Sequence, residues 1–370
     1  MKTKLLAILF IVAALAAGSR TLNACTGISL KAKDGAVLYG RTMEWGAFDL
    51  QSRLLLLPRG TEFVGSTPDG APGIKWNGKH GVVAIDALHK LAVMDGLNEK
   101  GLALGTFYHP GIADYEAYDP AYATKTLGPT EVAHYLLTNC ATVEEAKEAI
   151  QGVHVAPVVE PALGFTPGVH FMVSDRSGKH LVIEFLGGKT TLFDAPLGVI
   201  TNAPSYDWHT TNLRNYINLS PVALPGKKIA DLDFKPLGGG SGMIGLPGDF
   251  TPPSRFVRAV AFSQTARPTP DGPETRYEMF RILDNFNVPL GASEGSTDHP
   301  DPKLKGMRSS TLWTVVSDTK NLMVYYHTQN NRRVRAVNVG AIDFSKVSGP
   351  IQILPLDQVK EEDIQPVSFK

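Results

Sequence analysis

The chain reads as an α+β fold built on antiparallel sheets with helices on their outer faces, and three observations predict this. Short apolar runs of strand length recur with turn residues between them. Two segments, FMVSDRSGKHLVIEF (171–185) and WTVVSDTKNLMVYY (313–326), resemble each other, as two related sheet units would. The helical patterns fall in two groups that interrupt the strands, which places helices outside the sheets.

The elements follow in chain order. Residues 25–31 and 36–41 flank Lys33-Asp34-Gly35 and predict a hairpin. Strands are expected at 53–57, 81–87, 92–97 and 102–108, the last two joined by the turn Asn98-Glu99-Lys100-Gly101. Helical apolar spacing covers 129–140. Thr142-Val143-Glu144-Glu145 is a capping box that opens a second helix ending near Gly152. Strands at 169–174 and 181–186 flank DRSGK, and strands at 311–317 and 322–327 flank DTKN. Between these hairpins lie helical candidates at 207–219, 254–266 and 274–286, separated by Gly/Pro-rich loops such as PLGGGSGMIGLPGDFTPP. No composition break marks a linker, so residues 25–370 are read as one domain.

The first residues carry an export signal. Lys2 and Lys4 precede the uncharged apolar run 5–18, and the polar stretch Ser19 to Ala24 ends in a small residue. The run is too short to span a bilayer and lacks a stop-transfer pattern. Residues 1–24 are expected to be removed and the remainder exported, to a periplasm or outside the cell, without stable membrane insertion. Leu22-Asn23-Ala24-Cys25 also resembles a lipoprotein cleavage box, in which Cys25 would be lipidated; the leader alone leaves both readings open.

Formal net charge is zero, so nothing points to nucleic acid or another polyanion. The chain has two cysteines, Cys25 and Cys140, too few for a disulfide framework. Cys140 lies in a helical pattern and reads as a small buried side chain. Gly240-Ser241-Gly242-Met243-Ile244-Gly245 satisfies G-x-G-x-x-G, but no strand precedes it and no helix follows, so it reads as a tight loop. The ten histidines are scattered, with no H-E-x-x-H and no paired Cys/His set, which argues against a metal site. His209 is expected to pack or hydrogen-bond.

Cys25 is singled out by position. Cleavage after Ala24 would give it a free α-amino group, whose intrinsic pKa near 7.7–8.0 leaves a usable neutral fraction at about pH 7. One residue would then hold both nucleophile and base. Arg41, returning on the second strand of the first hairpin, is a cation that would favour the thiolate. Glu44 is a carboxylate that could orient the amine. For Arg41 and Glu44 alone, a surface ion pair is the competing reading.

Taken together, CTGISL, YGRTMEW, DGLNEKGLA, VITNAPSYDWHTTNL, GLPGDFTPPSRFVRA and TLWTVVSDTKNLMVYY resemble the choloylglycine hydrolases, the N-terminal-nucleophile hydrolases that comprise bile salt hydrolases and penicillin V acylases. The resemblance implies a four-layer αββα sandwich, a homotetramer, no cofactor and hydrolysis of a linear amide. It implies Cys25 as nucleophile and base, with Arg41 against the thiol. Glu44 stands where the family usually has Asp. Asn202 and the Tyr108 N–H would be the oxyanion donors. Arg255 would complete the polar network, ahead of the nearby Arg258. Trp45 and Tyr108 would line an apolar acyl pocket for a small-molecule amide: a glycine or taurine bile salt, penicillin V, or another N-acyl amide such as an N-acyl homoserine lactone. A lipid-anchored, inactive ligand-binding relative is the alternative.

Overall fold

A computed structural model describes residues 25–46, 50–294, 305–306 and 308–369. The expected export signal, 1–24, lies outside these residues. Two large sheets dominate. The first has six strands in the order Val199–Ile200, Thr26–Lys31, Val37–Gly46, Ser309–Asp318, Met323–Thr328 and Arg335–Asn338. The second has eight, in the order Thr190–Asp194, His180–Phe185, Val169–Ser174, Ala103–Tyr108, Ala92–Asn98, Val82–Ala87, Arg53–Leu57 and Gln352–Pro355. Every neighbouring pair in both sheets is antiparallel.

Period-2 alternation sorts the side chains into layers. In the second sheet Val83, Ile85, Met172 and Val182 join the core shared with the first sheet. Their neighbours Val82, Ala84, Phe171, Val173, Leu181 and Ile183 face the other way, into a core with Leu136, Leu137, Val143 and Ile150. Those last four lie on the helices Val132–Asn139 and Val143–Gln151, which cover the outer face of the second sheet. Pro252–Gln264 and Gly272–Leu283 cover the first sheet. The result is an αββα sandwich. Each large side chain fully buried between layers, such as Phe107 or Phe171, contributes roughly 1.5–3 kcal/mol.

Local chemistry fixes the elements. In the first hairpin, Gly35 takes φ 86° and Asp34 Oδ1 accepts the Ala36 N–H at 2.9 Å. Thr142 Oγ1 caps its helix by accepting the Glu145 N–H at 3.1 Å, and Asp271 Oδ1 accepts the Glu274 N–H at 2.9 Å. The two similar hairpins lie in different sheets, as the paired-unit reading expects.

Some elements depart from expectation. The second strand runs to Gly46 rather than Arg41, because Ser309–Asp318 pairs along its other edge, with Thr311 opposite Glu44. The helix expected at 207–219 covers only Tyr206–Asn212 plus one 3₁₀ turn. Only Tyr206 and His209 are buried there, so no apolar stripe supports further turns. The hairpin Glu62–Ser66/Pro72–Asn77 has no counterpart in the sequence reading. No helix among the described residues is long and apolar enough to cross a membrane.

Candidate active site

Cys25 sits at the head of the strand Thr26–Lys31 and is buried. Its nitrogen donates to Asn202 Oδ1 at 2.9 Å. Its carbonyl accepts from Arg255 Nη1, which also donates to Thr26 Oγ1 at 2.9 Å. Arg255 Nη2 donates to the same Asn202 Oδ1 at 2.7 Å, and its Nε to Phe250 O at 2.8 Å. One buried guanidinium therefore ties Cys25 to Asn202. Burial pulls Arg255 down to about 10, against the pull of Glu44 and Cys25. Arg258 instead donates to the carbonyls of Pro247 and Asp249 and holds the loop before the helix.

Arg41 enters because it lies opposite Gly27 in the first hairpin. It is fully buried; Nη1 donates to the carbonyls of Met94 at 3.0 Å and Thr106 at 2.5 Å, and Nε to that of Thr42 at 3.2 Å. The Phe107 and Trp313 rings lie under its guanidinium, at 4.4 and 5.3 Å. Met43 Sδ is shared: it lies 3.1 Å from Arg41 Nη2 and 3.9 Å from Cys25 Sγ. Burial disfavours the charge on Arg41, but Cys25, Tyr39, Asp95 and Glu44 more than offset this and hold it above its ordinary value.

Glu44 is fully buried, and its backbone oxygen lies 3.9 Å from Cys25 Sγ. Oε1 accepts from Thr311 Oγ1 at 2.7 Å, while Oε2 has no hydrogen-bond partner among the described residues. Burial pushes its carboxyl up to about 7, against the Thr311 bond and the charge of Arg255. The nitrogen of Cys25 bonds Asn202, not Glu44. In the full-length chain that nitrogen is the Ala24–Cys25 amide, with one proton to give.

Asn202 follows the short strand Val199–Ile200. With Oδ1 committed to Cys25 and Arg255, its Nδ2 donates to Tyr108 O at 2.7 Å. The next residue, His109, gives its N–H to Gly168, which directly precedes the neighbouring strand Val169–Ser174. Alternation along the strand therefore aims the Tyr108 N–H at the opposite side, the side on which its carbonyl meets Asn202. The Trp45 and Tyr108 rings meet edge to face at 5.3 Å. With Met43, Leu88, Met94 and Val169 they line a cavity of about 60 Å³ beside Cys25.

Every residue proposed from the sequence except Arg258 thus converges on Cys25. The sequence reading missed Met43, Thr311 and a group of buried histidines. His109, His170 and Glu184 bring ligand-type atoms within 4.8 Å of one another. Both His170 nitrogens are engaged, at 3.0 Å from Glu184 Oε1 and 3.0 Å from Thr201 O, so the cluster is built as a hydrogen-bonded group rather than an open metal site. The signal for it is a His and a Glu set among apolar residues in VHFMVS and HLVIEF. His209 packs and hydrogen-bonds as expected, stacking on Phe256 at 4.7 Å.

Residues 25–351 match the family model of linear amide C–N hydrolases, choloylglycine hydrolase family. The chain is 31% identical to a bile salt hydrolase/transferase of Clostridium perfringens over 85% of its length and 92% of that protein. It is 27% identical to a penicillin V acylase of Pectobacterium atrosepticum over 85% of its length and 80% of that protein. A crystal structure of a conjugated bile acid hydrolase variant from Clostridium perfringens superposes with a TM-score of 0.79 at 26% identity, covering 93% of this chain and all of that one. The chain belongs to the choloylglycine hydrolase family of linear amide C–N hydrolases.

Proposed function

We propose that this hydrolase uses Cys25 as an N-terminal nucleophile on amides of an apolar acyl group. The observation that carries the reading is the setting of Cys25: its thiol borders an apolar cavity, and its nitrogen and carbonyl are held by Asn202 and Arg255. The family match also begins at Cys25.

The chemistry requires cleavage between Ala24 and Cys25. The freed α-amine takes the thiol proton, and the thiolate attacks the substrate carbonyl. The resulting oxyanion takes the second N–H of Asn202 Nδ2 and the N–H of Tyr108, each worth roughly 3–4 kcal/mol in the transition state. As the C–N bond breaks, the ammonium of Cys25 returns the proton to the leaving amine and an acyl-thioester remains. Water, deprotonated by the same amine, hydrolyses it. Glu44 Oε2 is an acceptor that the new ammonium could use, and Arg41 supplies fixed positive charge behind the thiolate.

Relatives carry the names of bile salt hydrolase and penicillin V acylase. The Trp45–Tyr108 ring pair beside Cys25 favours a flat aryl or slender alkyl acyl group over a tetracyclic one. Parallel kcat/KM values for penicillin V, an N-acyl homoserine lactone, glycocholate and taurocholate test this; a preference for the cholates would overturn the acyl assignment. Loss of turnover in a folded Cys25→Ser variant is expected, and retained activity would end the nucleophile assignment.

Export and a homotetrameric assembly belong to the same proposal. Intact mass of the exported protein should show unmodified Cys25 as first residue, and light scattering a tetramer. A diacylglyceryl cysteine would instead establish the lipid-anchored reading. The burial of Cys25 disfavours it, since the lipid would have to pass through the site.

A further inference from the structure

The loop carrying Asn202 is gripped by three imidazoles. His170 Nε2 lies 3.0 Å from Thr201 O, His209 Nε2 2.9 Å from Asn202 O, and His109 Nε2 3.3 Å from Pro204 O. A carbonyl only accepts, so each Nε2 bears the proton. Further along, the Tyr206 N–H donates to Glu184 Oε1 and Oε2 at 3.1 and 3.2 Å. All four side chains are buried, and the His109 and His170 rings stack at 4.0 Å.

Proton bookkeeping links the grip into one unit. His170 Nδ1 lies 3.0 Å from Glu184 Oε1. Neutral His170 spends its only N–H on Thr201, so its Nδ1 needs a donor, which a protonated Glu184 supplies. Burial disfavours charge on both groups, raising the Glu184 carboxyl and bringing His170 down to about 3.

The grip spans the two sheets. His170 and Glu184 stand on adjacent strands of the second sheet, and His109 directly follows Tyr108 on a third. Asn202 hangs from the first sheet, beside the strand headed by Cys25. The two oxyanion donors proposed above therefore come from different sheets; the Asn202 Nδ2–Tyr108 O bond at 2.7 Å joins them directly, and the imidazoles hold the Asn202 backbone behind it.

We propose that His170 and Glu184, with His109 and His209, are positioning residues: a clamp that fixes Asn202 Nδ2 against the Tyr108 N–H. The proposal rests on the oxyanion reading of Asn202 and extends it to groups that touch no substrate. Misplacing a catalytic donor by about 1 Å costs up to about 100-fold in rate.

The test is a double-mutant cycle. His170→Phe should lower kcat about tenfold or more with KM within about threefold, and it should add little to Asn202→Ala, because a missing amide needs no positioning. A folded His170→Phe with undiminished kcat, or one whose loss multiplies with that of Asn202→Ala, overturns the clamp while leaving the nucleophile reading intact. Asn202→Ala with undiminished kcat would instead overturn the oxyanion reading and the clamp with it. Should His170→Phe fail to fold, a second pair decides. Glu184→Gln keeps a donor for His170 and an acceptor for Tyr206, and should retain kcat within about threefold; Glu184→Leu keeps neither and should lose about tenfold. Equal activity in these two variants overturns the proposal.

Discussion

Asn202 Oδ1 accepts the Cys25 N–H at 2.9 Å, so the residue proposed to stabilise the oxyanion also holds the nitrogen of the proposed nucleophile. Its amide is oriented from three directions, by Cys25 and Arg255 at the oxygen and by Tyr108 O at the nitrogen. Such a group needs no reorganisation when charge develops beside it.

Asn202→Ala should therefore lower kcat about 100-fold to 1,000-fold, with little change in KM. Steady-state kinetics on one amide substrate reads this directly. A raised KM at unchanged kcat would make Asn202 a substrate binder instead.

Much of this site is legible in the sequence, for a physical reason. Cys25 and Arg41 fall on one predicted hairpin, so strand pairing alone brings them together, whereas Glu44 lies three residues beyond the predicted strand, on its extension to Gly46. Asn202 and Arg255 lie far along the chain, and only family resemblance, not spacing, points to them. The strand edges were read within a residue or two where turns such as Asn98-Glu99-Lys100-Gly101 punctuate them. Edge strands such as Gln352–Pro355 escaped because their residues are exposed and carry no alternation. The His170–Glu184 pair was hidden because it joins residues meaningful only once two strands and a loop from the opposite sheet are in place.

Glu44 gives the site a pH signature. Its folded carboxyl lies near 7 against an ordinary 4.5, so folding favours the protonated form. The stabilisation is full below about pH 4.5 and is lost as pH rises through about 7, a span worth roughly 2–4 kcal/mol. Glu44→Gln keeps the acceptor for Thr311 and removes the titration. Urea denaturation at pH 5 and pH 8 should show the parent chain losing more stability than the variant, by that amount. The chain must retain residues 1–24 here, because a free ammonium in the pocket would pull Glu44 back down. Parallel pH dependence in the two proteins would mean that Glu44 stays ionised throughout.

Gly27 is where stability and site geometry meet. A Cβ built there would stand 2.6 Å from Phe107 Cζ and 2.8 Å from Ile200 Cγ2. Phe107 underlies Arg41, and Ile200 precedes the Asn202 loop by one residue. Gly27→Ala should cost about 1–3 kcal/mol by overpacking and lower kcat through the displaced neighbours. Denaturation midpoints and single-turnover rates check both parts. A variant as stable and active as the parent would show that the layers yield at this point.

The ring pair at the pocket should decide which acyl groups enter. Trp45 and Tyr108 meet edge to face at 5.3 Å and close a cavity of only about 60 Å³. Such a contact is worth about 0.5–1.5 kcal/mol beyond the area it buries, so the gap is held narrow rather than left open to adjust. Trp45→Ala removes the ring without touching the Tyr108 backbone, whose N–H and carbonyl face the Asn202 side. The expected result is a fall in kcat/KM for a flat aryl-acyl amide and a rise for a polycyclic one. The ratio between the two should move by about tenfold or more, since even one methylene gained or lost in an apolar pocket changes discrimination by about 1–3 kcal/mol. An unchanged ratio, with both rates lowered equally, would place Trp45 outside the acyl pocket and assign it to the support of Cys25.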